Sequence, residues 1–560
     1  MEQNDSKKKV LWWLGGWLLL NLFQAIFTEL FHDEAYYWYL SSHIQMGYSE
    51  HAPGMMLLIA LTRWIPGEIG VRLMPVLMNT LAIWVLYRLI KPERVNSFFL
   101  ILIGIAGVHV AGFFVAPDAP LFFFAVLFWW AYERYRNQDS VGNSLLLGLV
   151  IALMLYSKYH GAMTVFFVVL SDLKLFTRRS FWIAASTALL LYFPHLIWLW
   201  EHDFGTFRFH LGERTPGAWY VGRTLEFLGG FVLLAGPLLS LLLIPATVLH
   251  KPANAWERGL IWSFGGILAF LTFMTFHNRV EANWAATAMI PLLILGYKEL
   301  EHRPQWMRWA RRLAVPSILL IMVLRVYLVW DFLPAGTKTI RSEFHGWPEW
   351  AMEVKEVAQG RPVVFVNWYA YPSKYAFYAG EEAYGTSNLW YHRTQISQWT
   401  DEASLQGKEA VIMLTDHFVG ADTLHAPVSQ KFYYQETQGY RSFSNIALAT
   451  TDSVWDFSTG EINLKVTIVQ TADSALVFLP EEGVRVFGHL FDGSRQLRSI
   501  ILDPVLDMRL EPGIPQQITI PLGELKGIAE GVYRFTLSLS VGTVIPTRNS
   551  PWIEVMVKRE

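Results

Sequence analysis

The chain has 560 residues, of which 53% are hydrophobic and only 16% are charged, whereas soluble domains carry about 25% charged residues, which argues against an ordinary soluble globule. Its 45 basic and 47 acidic side chains give a net charge of -2, which removes the electrostatic argument for a nucleic-acid partner. Cysteine is absent, so disulfide scaffolds, thiolate zinc sites and cysteine nucleophiles are excluded, and any metal needs His, Asp or Glu ligands.

Apolar runs of about 20 residues, the length that crosses a bilayer, follow one another through the N-terminal part of the chain. We predict eleven transmembrane helices, at residues 10–28, 67–90, 97–115, 119–132, 142–157, 160–176, 181–200, 222–249, 259–276, 284–298 and 313–330. Three lysines precede the first run, which lacks a small-residue cleavage site. We therefore interpret the first run as a retained anchor rather than a cleaved signal.

Basic residues predict the orientation of these helices. The N-terminal tail and the connection after every second run contain Lys or Arg, and such connections stay on the cytoplasmic side. With eleven helices, the chain after Trp330 then lies outside the cytoplasm. We predict a multi-pass protein of the inner (cytoplasmic) membrane with extracytoplasmic C-terminal domains.

The C-terminal part is predicted to contain two modules. In residues 336–445, a helical stretch at 347–358 is followed by apolar strands at 363–367 and 410–415, which indicates a small α/β domain. In residues 446–560, period-two runs are separated by Gly, Pro and Asp turns, which is typical of a β-sandwich. Residues 1–335 form the predicted transmembrane domain, and we interpret the β module as structural or as a docking module.

The first outer connection contains two groups of polar residues. Asp33 and Glu34 precede the aromatic residues 36–39, and Glu50 and His51 follow a Gly-Tyr-Ser turn. Residues 34–45 are predicted to form a short amphipathic helix at the membrane interface. Asp33 would lie at its start, where a carboxylate interacts favourably with the helix dipole. A helix cap and a functional carboxylate therefore both remain open for Asp33.

The other outer connections add polar residues on the same predicted face. Asp118 lies between two prolines and could be a turn former or a site residue. The remaining residues of this kind are Lys158, Tyr159, His160, Glu201, His202, Asp203, His277, Arg279, Glu281 and Asn283. For His160 and His277 the first interpretation is a hydrogen-bonded interface histidine. The concentration of acids, histidines and a few cations at one membrane boundary is what an active cavity there would require.

These motifs together resemble a known enzyme family. They are 33–38 (DEAYYW), 47–53 (GYSEHAP), 117–120 (PDAP), 157–159 (SKY) and 279–284 (RVEANW). In this order they resemble the family 39/83 glycosyltransferases of the GT-C superfamily, membrane enzymes related to protein O-mannosyltransferases and to the aminoarabinose transferase that modifies lipid A. The resemblance covers roughly residues 10–400 and would make residues 1–335 the catalytic domain.

The resemblance implies transfer of a sugar, with inversion, from a polyprenyl-phosphate donor to a hydroxyl acceptor on the outer face of the membrane. The acceptor would be lipid A, another glycolipid, a glycan or a protein, and membrane lipids would surround the enzyme. Asp33 matches the position of the catalytic base, and Asp118 matches a second aspartate that would orient the acceptor or the sugar. Glu34 would position the first loop.

The resemblance also assigns the remaining candidate residues. Glu50 matches a carboxylate that binds a metal in some relatives, and His51 stands where the lipid A enzymes have a lysine. A divalent metal therefore remains open, with Glu50 and His277 as candidate ligands. The candidate phosphate cations are Lys158 and Arg279, while Tyr159, Glu281 and Asn283 would line the substrate cavity.

Two other function classes remain as alternatives. A polytopic transporter of a lipid-linked sugar or glycan would also need many helices and a polar cavity, but transporters usually show internal repeats and broken helices near the midplane. A receptor or adhesion protein would explain the outer domains, but would not need carboxylates in several separate loops. Neither repeats nor broken midplane positions stand out in the sequence.

Overall fold

The structure is a computed structural model that describes residues 2–204, 219–332, 343–389, 394–415, 421–459, 462–493, 495–502, 505–522, 527–540 and 547–558. The chain divides into two compact units. The first contains Met1–Trp347 with Pro427–Ser429, and the second contains Pro348–Ala426 with Gln430–Glu560. The predicted domain boundaries at 336 and 446 stay predictions.

The first unit is helical in its described residues. Its helices are α1 (Glu2–Phe27), α2 (His32–Leu40), α3 (Gly54–Ala60), α4 (Glu68–Ile90), α5 (Val95–Ile103), α6 (Ala106–Phe113), α7 (Asp118–Asn137), α8 (Val141–Ser157), α9 (Gly161–Ser171), α10 (Arg179–Glu201), α11 (Val221–Leu234), α12 (Ser240–Leu249), α13 (Ala255–Met274), α14 (Met289–Glu301) and α15 (Pro304–Val329). A 3₁₀ segment, Ala282–Ala288, precedes α14.

Each predicted apolar run coincides with a helix or with two consecutive helical segments. The run at 97–115 is α5 and α6, which are bent by 77° with respect to each other, and the run at 222–249 is α11 and α12. In the described chain, α1, α4, α10 and α15 are each long and apolar enough to cross a membrane, and the pair α5–α6 raises that number to five. The chain is therefore a multi-pass membrane protein, while the number of eleven crossings stays a prediction.

Burial separates the central helices from the peripheral ones. Most of α14 is buried, and Trp129 of α7 is fully buried in the same core. By contrast, α10 exposes Trp182 near its start and Trp200 near its end, with 55% and 74% of each residue accessible. Large exposed apolar side chains would favour association in water, but they suit a helix that faces lipid.

The second unit begins with a mixed five-stranded sheet. Its strands are β1 (Val363–Val366), β2 (Ala383–Thr386), β3 (Ala410–Leu414), β4 (Asp422–Thr423) and β5 (Tyr433–Thr437), in the order β2-β1-β3-β5-β4. Strand β1 pairs in parallel with both β2 and β3, whereas β5 pairs antiparallel with β3 and β4. The helices α16 (Trp347–Ala358), α17 (Ala370–Ala379) and α18 (Gln395–Trp399) alternate with the first strands.

The rest of the second unit is rich in β-strands. These are β6 (Ile446–Thr450), β7 (Val454–Asp456), β8 (Asn463–Gln470), β9 (Leu476–Phe478), β10 (Arg485–Asp492), β11 (Arg495–Leu502), β12 (Met508–Leu510), β13 (Gln516–Pro521), β14 (Gly531–Ser540), β15 (Thr547–Arg548) and β16 (Ile553–Lys558). One sheet has the order β11-β10-β14-β16-β7, with β15 paired to β14, and another has the order β13-β8-β6. Val466 of β8 and Leu537 of β14 share one hydrophobic core. The predicted β-rich region is therefore confirmed, while its assignment to a particular sandwich fold stays a prediction.

Candidate active site

The first loop folds into a short helix that begins close to the predicted position. The helix α2 covers His32–Leu40 rather than 34–45. Its N-cap residue is Phe31, and the backbone N–H of Phe31 donates to the Glu34 carboxylate at 2.8 Å. Asp33 lies in the first turn of α2 and is half-buried. Glu34 therefore supplies a carboxylate cap for this helix end, a role that the sequence left open for Asp33.

Glu34 and Arg72 form a fully buried ion pair. Arg72 donates from Nε and Nη2 to the two Glu34 oxygens, at 3.0 Å and 2.5 Å. The guanidinium also donates to the carbonyl oxygens of Ala25, Thr28 and Glu29 at the end of α1. A buried ion pair is tolerated only when further hydrogen bonds satisfy both groups. Here Arg72 fixes the chain between α1 and α2.

The same carboxylate also reaches the second outer loop. Val115 N donates to Glu34 Oε1 at 2.8 Å, three residues before Asp118. Sequence reasoning gave Glu34 a positioning role but missed Arg72. The available signal was an arginine within the apolar run of α4, because ionisable residues inside a membrane span are usually paired and functional.

Asp118 joins three separate loops. It is the first residue of α7, and its two carboxylate oxygens accept hydrogen bonds from Lys158 Nζ at 2.8 Å and 2.9 Å. Lys158 is the C-cap residue of α8. Asn283 Nδ2, in the 3₁₀ segment before α14, donates to Asp118 Oδ2 at 3.0 Å. Only 8% of Asp118 is exposed, so this charge-assisted cluster is largely shielded from solvent.

Glu50 is held by a turn that folds back on α2. The backbone groups of Tyr48 and His51 bond to each other in both directions, at 3.1 Å and 3.3 Å. The turn buries Glu50, and the Tyr36 hydroxyl donates to Glu50 Oε2 at 3.2 Å. The His51 ring packs edge-on against Tyr37, with 5.1 Å between ring centroids.

The pKa of the Tyr37 hydroxyl is affected by four carboxylates of the candidate site. Burial raises the pKa of its hydroxyl well above the usual value, and the negative charges of Asp33, Asp118, Glu50 and Glu34 raise it further. An interaction with all four acids requires them to lie within electrostatic reach of one hydroxyl. The Tyr37 hydroxyl therefore keeps its proton to higher pH than an ordinary tyrosine.

Tyr159 and His160 lie at the start of α9 and point to different partners. The Tyr159 hydroxyl is 3.0 Å from Nε2 of His195, a residue of α10 that sequence reasoning missed. The His160 ring packs against Trp284, with 4.8 Å between centroids. His195 could have been noticed as an ionisable residue in an apolar run.

Arg279 and Glu281 occupy a more open position than Asn283. They pair with each other, with 3.3 Å between Arg279 Nε and Glu281 Oε1, and their side chains are 66% and 40% exposed. His277 is exposed, and its ring packs near Phe273 at 5.3 Å. The structure therefore brings Asn283 to Asp118, while the roles of Arg279 and Glu281 stay predictions.

The candidate metal ligands do not form a recognisable metal site. Among the described residues, no group of three or more His, Asp or Glu side chains is arranged to hold a metal ion. Glu50 accepts its hydrogen bond from Tyr36, and His277 packs against Phe273. Within the described part of the chain, Glu50 and His277 are therefore not part of a metal site, and no chemical step is assigned to a metal ion.

Comparison with known sequences gives two matches. The model of the dolichyl-phosphate-mannose-protein mannosyltransferase family matches residues 50–198, a range that includes Glu50, Asp118 and Lys158 but not Asp33. The lipid A galacturonosyltransferase RgtD of Rhizobium johnstonii is 25% identical over 287 residues. That alignment covers 48% of this chain and 60% of the relative.

Two solved structures share the fold. The crystal structure of ArnT from Cupriavidus metallidurans in the apo state matches with a TM-score of 0.58 and 12% identity, over 77% of this chain and 98% of ArnT. The structure of the same protein bound to undecaprenyl phosphate matches with a TM-score of 0.56 and 13% identity, over 77% of this chain and 99% of ArnT. At this identity the likeness concerns the fold.

Proposed function

We propose that this chain, which belongs to the GT-C superfamily of membrane glycosyltransferases, moves a sugar from a polyprenyl-phosphate donor to a hydroxyl acceptor on the outer face of the cytoplasmic membrane. The observation that carries the proposal is the cluster in which Asp118 accepts hydrogen bonds from Lys158 and Asn283 of two other loops. The charges of Asp33 and Glu50, both in the first outer loop, act together with that of Asp118 on the nearby Tyr37 hydroxyl. The matched relative acts on lipid A, and the matched ArnT structure contains undecaprenyl phosphate. Both support a lipid-linked donor and a lipid acceptor for this chain.

Asp33 is our candidate for the general base. The acceptor oxygen attacks the anomeric carbon, the bond from that carbon to the phosphate oxygen breaks, and the polyprenyl phosphate leaves. The proton of the acceptor hydroxyl passes to a carboxylate. Asp118 already accepts hydrogen bonds from Lys158 and Asn283, so it is better suited to orient a substrate than to take its proton.

Lys158 and Arg279 are the candidate contacts for the donor phosphate. A phosphate favours charge-assisted hydrogen bonds from ammonium and guanidinium groups. Lys158 is held by Asp118, and a phosphate beside it would share the same ammonium. Arg279 is mostly exposed and has room to reach a lipid phosphate, at the cost of its contact with Glu281.

The acceptor can be identified by comparing cells. Mass spectrometry of envelope lipids and glycans should show a sugar that is lost without the gene, restored by the parent chain and not restored by Asp33→Asn. An unchanged set of glycoconjugates in all strains would reject the proposal. An assay in reconstituted vesicles distinguishes the proposed enzyme from a transporter. A transporter would move a lipid-linked sugar across the bilayer without consuming it.

The outer location has its own test. A reporter that works only outside the cytoplasm is expected to be active when fused after residue 335 or after residue 560. It is expected to be inactive when fused near Arg94 or Arg179, which lie in basic connections. Activity at the two basic positions would place the proposed site in the cytoplasm.

A further inference from the structure

His195 is a buried polar residue within a helix that is apolar enough to cross the membrane. It belongs to α10 and has no exposed surface. The rings of Tyr156 and Tyr192 pack around it, at 6.0 Å and 5.1 Å between centroids. Ionisable residues in such helices are costly unless their hydrogen bonds are satisfied, and they usually mark functional positions.

Both ring nitrogens of His195 have partners from different loops. Nδ1 is 2.5 Å from the carbonyl oxygen of Met46, and Nε2 is 3.0 Å from the Tyr159 hydroxyl. A carbonyl oxygen can only accept, so Nδ1 carries the proton. In the neutral ring Nε2 must then accept, and the Tyr159 hydroxyl is the donor.

The two partners of His195 are neighbours in sequence of candidate site residues. Met46 precedes the turn of residues 47–51, which buries Glu50 against Tyr36. Tyr159 follows Lys158, whose ammonium is held by Asp118. The imidazole therefore connects the loop that carries Glu50 with the loop that carries Lys158.

The packing beside this imidazole leaves little room for movement. A Cβ atom added to Gly47 would lie only 2.2 Å from the Trp198 ring, one helical turn beyond His195. Any side chain at this position would clash with the Trp198 ring unless that ring moved, so the turn lies directly against α10. The close approach makes the Met46 contact part of a tightly packed junction.

We propose that His195 is a positioning residue of the candidate active site, a proposal that rests on the transfer reaction proposed above. It holds the Met46 end of the Glu50 turn, and it directs the Tyr159 proton towards Nε2 of its own ring. The Tyr159 oxygen is then presented as an acceptor for a hydroxyl group of the substrate. Recognition of a hydrogen-bond donor on the substrate, rather than of an anionic group, is the specificity that this arrangement provides.

Two conservative variants each remove one of the two His195 hydrogen bonds and keep the other. His195→Asn places an amide donor close to the position of Nδ1 and keeps the Met46 contact, whereas His195→Gln places an acceptor close to Nε2 and keeps the Tyr159 contact. Tyr192→Phe is the matched control, because the Tyr192 ring packs on His195 but its buried hydroxyl has no hydrogen bond among the described residues.

The first measurement is hydrogen exchange in the full-length protein. In His195→Gln, the amides of Tyr48 and His51 should exchange about tenfold faster, the effect of losing one hydrogen bond. In His195→Asn and Tyr192→Phe they should exchange as in the parent. Parent-like exchange in His195→Gln would overturn the role of His195 in holding the turn, whether or not the protein transfers a sugar.

The second measurement is transfer from an undecaprenyl-phosphate sugar. His195→Asn and Tyr159→Phe should each lower kcat/KM about tenfold, and the variant carrying both changes should lose no more than either one. Additive losses would overturn the proposed action of His195 through Tyr159. If the parent itself transfers no sugar, the proposed function fails, and the exchange experiment still decides the Met46 contact.

Discussion

Glu34 and Arg72 are joined by two hydrogen bonds, at 3.0 Å and 2.5 Å, and neither side chain is exposed. Because Glu34 also accepts from Val115 N, one buried pair connects the helix that begins beside Asp33 with the loop that leads to Asp118. The two aspartates proposed to act on the substrate therefore depend on the same structural support.

Loss of this support should destabilise the helical unit. Arg72→Gln leaves the Glu34 carboxylate buried without its counter-charge, which should lower the free energy of unfolding by about 3–5 kcal/mol. Thermal unfolding in nanodiscs measures the effect. Arg88→Gln on the same helix is the control, since the Arg88 guanidinium lies over the Trp84 ring. A double variant with Glu34→Gln should lose less than the two single variants together, and strict additivity would contradict a coupled pair.

Asp33→Asn should remove most activity with little effect on folding. A positioned carboxylate base contributes about 10²- to 10⁴-fold to the rate, and asparagine cannot take the proton. Asparagine caps a helix as well as aspartate does, so a purely structural Asp33 would leave an active protein. The measurement is turnover of a polyprenyl-phosphate sugar by the purified variant, together with its melting temperature. Near-normal turnover would exclude Asp33 as the base and make Asp118 the next candidate.

Lys158→Gln and Arg279→Gln should each weaken the use of the donor. A hydrogen bond to an ionised group contributes about 1.5–3 kcal/mol, which corresponds to a loss of about tenfold or more in kcat/KM for the donor. Lys251→Gln is the matched control, because Lys251 is exposed and follows α12 in a connection that is predicted to lie on the cytoplasmic side. Unchanged kinetics in both site variants, at normal expression, would place the phosphate elsewhere.

Tyr37 should make stability fall at alkaline pH. Its pKa is raised in the folded protein from the usual value of 10.0, so the folded state retains a proton that the unfolded state loses above that pH. The contribution of Tyr37 to the free energy of unfolding is constant below about pH 10. Above that pH it decreases by up to about 1.4 kcal/mol per pH unit. Tyr37→Phe should reduce the slope measured between pH 9.5 and 11. An unchanged slope would show that the pKa of the Tyr37 hydroxyl is not raised in the folded protein.

The sequence predicted the helical runs well but not their partners. A long apolar segment carries its own signal, and the segments at 67–90 and 181–200 agree with α4 and α10 within two residues at each end. The partner of Glu34 is 38 residues away on another helix, and no local pattern specifies such a contact. The same limit applies to the partners of His195, because they are supplied by two loops that meet only after folding.

The bend between α5 and α6 was missed for a different reason. Residues 97–115 are mostly apolar and predict one straight helix, but Gly104 ends α5 and the chain turns by 77° before α6 continues. Gly104 packs against Leu239 and Ala314, so the break depends on neighbouring helices. Hydropathy measures how apolar a run is and contains no information on its direction.

The two exposed tryptophans of α10 indicate how deep the candidate active site lies in the membrane. Trp182 and Trp200 are 18 residues apart, which is about 27 Å along an α-helix and close to the hydrocarbon thickness of a bilayer, about 30 Å. Tryptophan rings favour the boundary between hydrocarbon and headgroups, so each ring marks one boundary. His195 lies five residues before Trp200, or about 7.5 Å along the helix. A polyprenyl chain could therefore stay dissolved in the membrane while its phosphate enters the reaction, and the enzyme would not need to extract its donor from the lipid.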